Sequence, residues 1–455
     1  MTRSGSVPPE RGIFCNRTLN LRSIKAIGYD MDYTLVHYHA ERWEERAYDH
    51  AKQRVAEFGW PVAQLRFQPE LMVRGLILDT ELGNIVKVNR FGYVKRGLHG
   101  TRPMSFDDQR SVYARTVIDL SERRFVFLNT LFSLSEACLY GQLVDKLDGG
   151  QIGGAMGYAQ LYELVRQALD ESHLEGQLKE EIIRAPGDFV VPDPDTPATL
   201  LDQKLSGKRI MLITNSEWEY TQAMMSHTFD PFLEGSRTWR DLFDLVIVNA
   251  RKPNFFSDAN PAFEISEGSR LEPVRALQLG GTYYGGDAAM VEKALDVSGD
   301  EILYVGDHIW GDVAVSKAVL RWRTALVLRE LEQEVKAEAA FAKSQKELEG
   351  LMAKKERLER HYYDTRLRLQ RRRKRYGPTS RTPIRDLDVK LDALRQKIDA
   401  LDGLISPLAK QASELSHAKW GLLMRAGNDK SHLARQIERS ADIYMSRVSN
   451  MLYLT

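Results

Sequence analysis

Five short apolar runs punctuate the chain, and four of them stop abruptly at polar residues. Ile24 to Tyr29 runs into Asp30 and Asp32. Lys208 to Ile213 runs into Thr214, Asn215 and Ser216, and Leu242 to Val248 runs into Asn249, with Arg251, Lys252 and Pro253 directly behind. Glu301 to Gly306 stops at Asp307, and Thr324 to Leu328 is the fifth run. Runs of this length suit buried strands of a parallel sheet. Helical stretches between them imply right-handed βαβ units, and so an α/β fold with a doubly wound parallel sheet. Their polar ends would lie at the carboxyl edge, where such sheets hold ligands.

A long stretch separates the first run from the second. Glu41 to Phe58 reads as a helix, with Trp43, Ala47, Ala51, Val55 and Phe58 at spacings of three and four. Leu76 to Asp79 and Ile85 to Val88, joined through Gly83-Asn84, read as a β-hairpin, and Gly92 marks another turn. Phe125 to Leu147 begins strand-like and continues as a helix, and Leu161 to Leu169 is helical, with Arg166, Asp170 and His173 on or near one face. Ile182 to Pro197 carries Pro186, Pro192 and Pro194 and reads as a hinge back into the first domain. Residues 1–20 read as an irregular lead-in.

After residue 329 the pattern changes. Ile384, Leu387, Leu391, Leu394, Ile398, Leu401, Ile405 and Leu408 alternate spacings of three and four, an a/d seam. A helix with Leu348, Leu351, Leu358 and Tyr362 is the candidate partner, with the turn at Gly377-Pro378. The seam closes either a long antiparallel hairpin or a dimer-forming coiled coil. The expected division is 1–40 with 206–328 as the core, 41–205 as an inserted α+β cap, and 329–455 as the hairpin with C-terminal helices packing on the core or at an oligomer interface.

Charge and cysteine content narrow the setting. Lys plus Arg is 64 against 63 Asp plus Glu, so bulk charge implies no polyanionic partner. Cys15 and Cys138 do not suggest a disulfide framework. The N-terminus lacks the apolar core of a signal peptide, and no apolar run approaches membrane-spanning length, so a cytoplasmic protein with no membrane partner is expected. Arg366 to Arg375 holds seven cations in ten residues with no acid. It could bind polyphosphate or RNA, but charge runs are more often solvated surface, so nucleic acid is not the expected partner.

The strand ends deliver one coherent set of side chains. A carboxylate nucleophile and a phosphate repel each other, and hard oxygen ligands around Mg²⁺ with a nearby ammonium offset that repulsion. Asp30 is placed as nucleophile and metal ligand, and Asp32 as the acid and base that protonates the leaving oxygen and then activates water. Thr214, Asn215 and Ser216 would bind phosphoryl oxygens, and Lys252 would neutralise charge. Asp307 completes a metal site to which Asp32 and Asp312 also belong. Each piece alone has a bland alternative: a helix cap at Thr214-Asn215, a solvated lysine, a turn at Gly306-Asp307. Their order, each after its own strand, favours the joint reading.

These residues resemble the four motifs of the haloacid dehalogenase superfamily. Asp30-Met-Asp-Tyr-Thr-Leu, Leu128-Asn-Thr-Leu-Phe, Thr214-Asn-Ser, Ala250-Arg-Lys-Pro and Gly306-Asp-His-Ile-Trp-Gly-Asp are similar to the cytosolic purine 5′-nucleotidase family, the IMP/GMP-preferring type. Arg74-Gly-Leu, Gly83-Asn and Arg425-Ala-Gly extend the resemblance. It implies Mg²⁺-dependent hydrolysis of purine nucleoside 5′-monophosphates, with phosphate transfer to a nucleoside as a second outcome. It further implies Asn129, Phe132, Arg166, Asp170, His173 and Lys179 as substrate-binding positions in the cap. Leu174 stands where the family often has an aromatic. Read by itself, Phe132 could stack on a purine, though a core phenylalanine is commoner. A homo-oligomer, dimer or tetramer, is expected. Two competing functions are a phosphatase for another phosphorylated metabolite and a non-catalytic helical scaffold.

Overall fold

A computed structural model describes residues 7–153, 156–174, 176–266, 270–378 and 380–453, without the side chains of 170–174 and 453. Its centre is a ten-stranded sheet in the order Ile13–Cys15, Ile443–Met445, Arg323–Val327, Ile302–Gly306, Ala26–Tyr29, Arg209–Ile213, Leu245–Val248, Thr282–Gly285, Ala262–Ile265 and Leu271–Val274. The strands from Ile443–Met445 through Thr282–Gly285 are parallel, and antiparallel strands close both edges. The chain first builds outward from Ala26–Tyr29 through Arg209–Ile213, then returns to its other side at Ile302–Gly306. That reversal puts the topological switch at the end of Ala26–Tyr29, where an open α/β sheet has its crevice.

Successive strand residues feed two separate cores. Ile27, Tyr29, Ile210, Leu212, Leu303 and Val305 pack with Leu200 and Met224 of the helices Asp195–Leu205 and Trp218–Phe229. Ala26, Met211, Ile213, Ile302 and Tyr304 pack on the other face with Val291 of Ala288–Leu295 and with Trp322. A strand covered on both faces reads as an unbroken apolar run, which is why these were visible in the sequence.

The expected irregular lead-in contains an edge strand instead. Ile13–Cys15 pairs with Ile443–Met445, and Phe14 stacks on Tyr444 at 5.2 Å. Three residues leave no periodic signal, so only the distant partner defines them. The strand Ile443–Met445 also revises the C-terminal boundary. Residues 423–455 group with the core, and residues 333–422 form a unit of their own.

Between Tyr38 and Val190 the chain builds a second, five-stranded antiparallel sheet with helices beside it. The hairpin is there, Ile77–Asp79 against Asn84–Val88. The helix runs Ala40–Ala56, with Phe58 past its end and exposed. The proline-marked stretch 182–197 is not an open hinge: the helix Gln177–Arg184 and a short turn at Pro186–Phe189 lead into Val190–Val191. Val190–Val191 pairs with His37–Tyr38, so the entry and exit of the inserted segment form one ribbon. Proline at the first position of a helix is tolerated, and Pro186 occupies that position.

In the unit 333–422, helices Leu331–Lys374 and Ile384–Ser413 form a hairpin. Arg373 pairs with Asp388 at 2.7 Å, and Lys355 pairs with Asp402 farther from the tip. Leu387 and Leu394 of the seam are buried with Leu348 and Leu369, whereas Ile384 is exposed at the end. No helix among the described residues is long and apolar enough to cross a membrane.

Candidate active site

Three strand ends and one wide helical turn converge at the switch point. Asp30 follows Ala26–Tyr29, and its N–H donates to the Val305 carbonyl at 2.9 Å. The chain then turns tightly: the N–H groups of Thr34, Leu35 and Val36 all return to the Met31 carbonyl. Lys252 arrives from the loop after Leu245–Val248. Asn249 and Arg251 take left-handed φ values of 44° and 59°, and the Asn215 side chain clasps the Lys252 main chain, accepting its N–H at 2.6 Å and donating to its carbonyl at 3.0 Å. The Lys252 Nζ thus lies 2.7 Å from Asp30 Oδ1 and 2.7 Å from Asp312 Oδ1. It also donates to the Tyr304 hydroxyl at 3.0 Å, and that hydroxyl donates to the Ile213 carbonyl. Gly28 permits this arrangement, because a Cβ there would stand 2.8 Å from the Tyr304 ring.

Asp307 and Asp312 come from the end of Ile302–Gly306. The π-type turn Ile309–Ala314 folds Asp312 back, so that its Oδ2 accepts the His308 N–H at 3.1 Å. A Cβ at Gly306 would lie 2.4 Å from that oxygen, so glycine is required there. Asp30, Asp307 and Asp312 are all buried and each offers an oxygen within 4.8 Å of the others. Asp307 Oδ2 is buried without a hydrogen-bond partner among the described residues.

The electrostatics follow from that crowding. Burial pushes the Asp30 carboxyl up to about 7, with Lys252 opposing and Asp312 and Asp32 adding to the rise. Burial likewise raises Asp307 well above the usual carboxylate range, with Arg74 opposing. Burial alone would lower Lys252, but Asp30 and Asp312 outweigh it and hold the ammonium well above its usual range. Three buried carboxylates face one ammonium. An all-oxygen group with that charge excess and an unpartnered oxygen fits a hard divalent cation.

The Asp32 carboxylate stands outside this group, contrary to its placement among the metal ligands by sequence. Its Oδ2 accepts from the Ser216 hydroxyl at 2.7 Å and its Oδ1 from the Tyr38 hydroxyl at 2.5 Å. Neither partner lies on an element that brings a carboxylate to the cluster. Tyr38 also bonds Tyr220 at 3.0 Å, and the Lys179 ammonium sits 5.1 Å from the Tyr220 ring. Thr214 is buried, and its hydroxyl accepts the Ser216 N–H at 3.1 Å.

The other inserted-segment positions are dispersed. Phe132 is half-buried, 4.7 Å from the Tyr33 ring and 5.4 Å from Trp43, both edge-on. Asn129 is half-buried just after the strand Phe125–Phe127. Arg166 is about half exposed and pairs with Glu136 at 3.5 Å. The side chains of Asp170 and His173 lie outside the described residues. One contributor had no assigned role: buried Arg74 donates to the Asp307 carbonyl at 3.2 Å and pairs with Glu330 at 2.9 Å. Its sequence signal is the Arg74-Gly-Leu segment of the resemblance, which assigned it no role; in the structure Gly75 takes φ +88°.

A doubly wound sheet, an inserted segment, and a site of strand-end carboxylates, hydroxyls and one lysine in this order define a protein of the haloacid dehalogenase type. Comparison with known sequences is more specific: the chain belongs to the 5′ nucleotidase family, whose model matches residues 13–455. It is 28% identical over 354 residues to human 5′-nucleotidase domain-containing protein 2, covering 72% of this chain and 66% of that protein. The rat counterpart is also 28% identical, with 62% of its length covered, so the chain spans slightly less than two thirds of these relatives. A 5′-nucleotidase domain-containing protein of Dictyostelium discoideum is 24% identical over 97% of this chain and 71% of its own length. Among solved structures, an archaeal beta-phosphoglucomutase from Pyrococcus overlaps 67% of this chain and 86% of its own, at 11% identity and a TM-score of 0.30.

Proposed function

We propose that the protein hydrolyses purine nucleoside 5′-monophosphates, of the IMP/GMP type, to nucleoside and phosphate through a phosphorylated Asp30. The observation that carries this is the division of labour between two carboxylates two residues apart. Asp30 lies against Lys252 and the acidic cluster, and Asp32 lies against two hydroxyls. Asp30 attacks phosphorus, and the bond to the leaving oxygen breaks. Asp32 delivers a proton to that oxygen, then takes one from the water that hydrolyses the aspartyl-phosphate. Ser216 and Tyr38 hold Asp32 for both steps. The Thr214 and Ser216 segment supports the phosphoryl oxygens, and Asn215 acts by fixing the main chain of Lys252.

Asp30, Asp307 and Asp312 would hold the cation, with Mg²⁺ the best match to hard oxygen ligands. When bound it supplies charge neutralisation that lets an anionic nucleophile approach an anionic phosphate. On this reading Lys179, beside the Tyr220 ring, and Phe132, beside Tyr33, meet the nucleoside. The test is a turnover panel of IMP, GMP, AMP, CMP and sugar phosphates. Purine nucleotides should have the highest kcat/KM. Preference for a sugar phosphate would make it a phosphatase of another metabolite, and no turnover of any would leave a scaffold.

A further inference from the structure

Two polar groups near the site are buried and unsatisfied, and the mechanism above uses neither. Tyr33 lies between Asp32 and Thr34, 2% exposed and in a left-handed conformation of φ +55°. Its hydroxyl has no partner among the described residues. Glu44, on the helix Ala40–Ala56, is 1% exposed. One of its oxygens accepts the Ser135 N–H at 2.7 Å, and the other, Oε1, has no partner among the described residues. Buried hydroxyls and carboxyls are rarely left unpaired, because each forfeits its bonds to water. A phenylalanine would pack at position 33 as well as tyrosine does, without that cost.

Their placement says what they face. Tyr33 directly follows Asp32, and its ring lies edge-on 6.5 Å from that of Trp43, the residue before Glu44 on the helix Ala40–Ala56. Tyr33 therefore stands where the inserted segment meets the loop that carries Asp30 and Asp32. Phe132, the candidate base-stacking ring, is 4.7 Å from the Tyr33 ring. In a nucleotide, the group between the leaving oxygen and the base is the sugar. Burial holds Glu44 up at about 8, so near neutral pH it keeps its proton and offers a donor as well as an acceptor.

We propose that Tyr33 and Glu44 are specificity residues that hydrogen-bond the ribose hydroxyls of the substrate, an inference that rests on the nucleotidase reading above. Neither takes part in bond making. The experiment measures kcat/KM for a purine ribonucleoside 5′-monophosphate, its 2′,3′-dideoxy counterpart and p-nitrophenyl phosphate, on wild type, Tyr33→Phe and Glu44→Gln, with melting temperatures alongside. Each variant should lose roughly five- to thirtyfold on the ribonucleotide and no more than about twofold on the other two substrates. Tyr33→Phe should melt no lower than wild type, because the hydroxyl it removes has no protein partner. Equal losses on all three substrates, or a lower melting temperature for Tyr33→Phe, would make the hydroxyl structural and overturn the proposal. So would a wild type that hydrolyses ribo- and dideoxynucleotides equally well, which would leave the nucleotidase reading standing. A wild type that cleaves the aryl phosphate and no nucleotide would overturn both.

Discussion

The carboxyl edge of the sheet and the inserted segment are built in opposite ways. At the sheet edge each functional side chain leaves a strand end, and its main chain is tied to a neighbour: Asp30 to Val305, Lys252 to Asn215, Asp312 to His308. In the inserted segment several candidate side chains are held by other side chains, Phe132 against Trp43 and Arg166 by Glu136. Main-chain anchoring resists substitution nearby, whereas side-chain packing can be rearranged by a few exchanges. A frame of this kind keeps phosphoryl chemistry constant while allowing the recognised leaving group to change.

The sharpest way to break this comparison is at Asp30. Asp30→Asn should lower kcat by about a thousandfold or more, since the amide removes the nucleophile and one ligand charge. The fold should survive, because the exchange relieves repulsion among three buried carboxylates. Retention of more than a small fraction of wild-type kcat would end the covalent reading.

Metal removal comes next. A chelator should abolish turnover while leaving circular dichroism native, and added Mg²⁺ should raise the melting temperature of wild type by linkage, but much less that of Asp307→Asn. Equal stabilisation of both proteins would place the ion elsewhere.

A third test concerns the inserted segment and pH. Glu44 has a folded-state value near 8 against an ordinary 4.5, so folding favours its protonated form. That contribution is fully present below the unfolded value and is lost as pH rises through the folded one. Stability should therefore fall by a few kcal/mol between about pH 4.5 and 8, and Glu44→Gln should flatten that part of the curve. Denaturant melts of both proteins across this range decide it; identical slopes would show that Glu44 is ionised in the fold.

The mildest test falls on Phe132. Stacking on a base is worth about 1–3 kcal/mol, so Phe132→Ala should cost roughly ten- to a hundredfold in kcat/KM on IMP or GMP. An aryl phosphate should lose much less. Matching losses on both would mean that the ring only packs against Tyr33 and Trp43.

How much was legible depended on what each feature needs from distant residues. The parallel strands were visible because burial on both faces demands uninterrupted apolar residues, and the chemistry sits one step beyond each run. The hairpin seam was visible for a similar reason, since a helix pair needs apolar residues every three or four positions. Local sequence alone thus determined the strand ends that carry Asp30, Thr214, Lys252 and Asp307, and the helical repeat. Tertiary structure decided the rest. Ile13–Cys15 is a strand only because Ile443–Met445 offers it an edge, and Arg74 matters only because folding buries it against Asp307 and Glu330. Asp32 and Asp30 differ only in their spatial neighbours: two hydroxyls around one, an ammonium and two further carboxylates around the other. Sequence names the ionisable groups, but their charge and direction depend on burial and on partners hundreds of residues away, which exist only once the chain has closed.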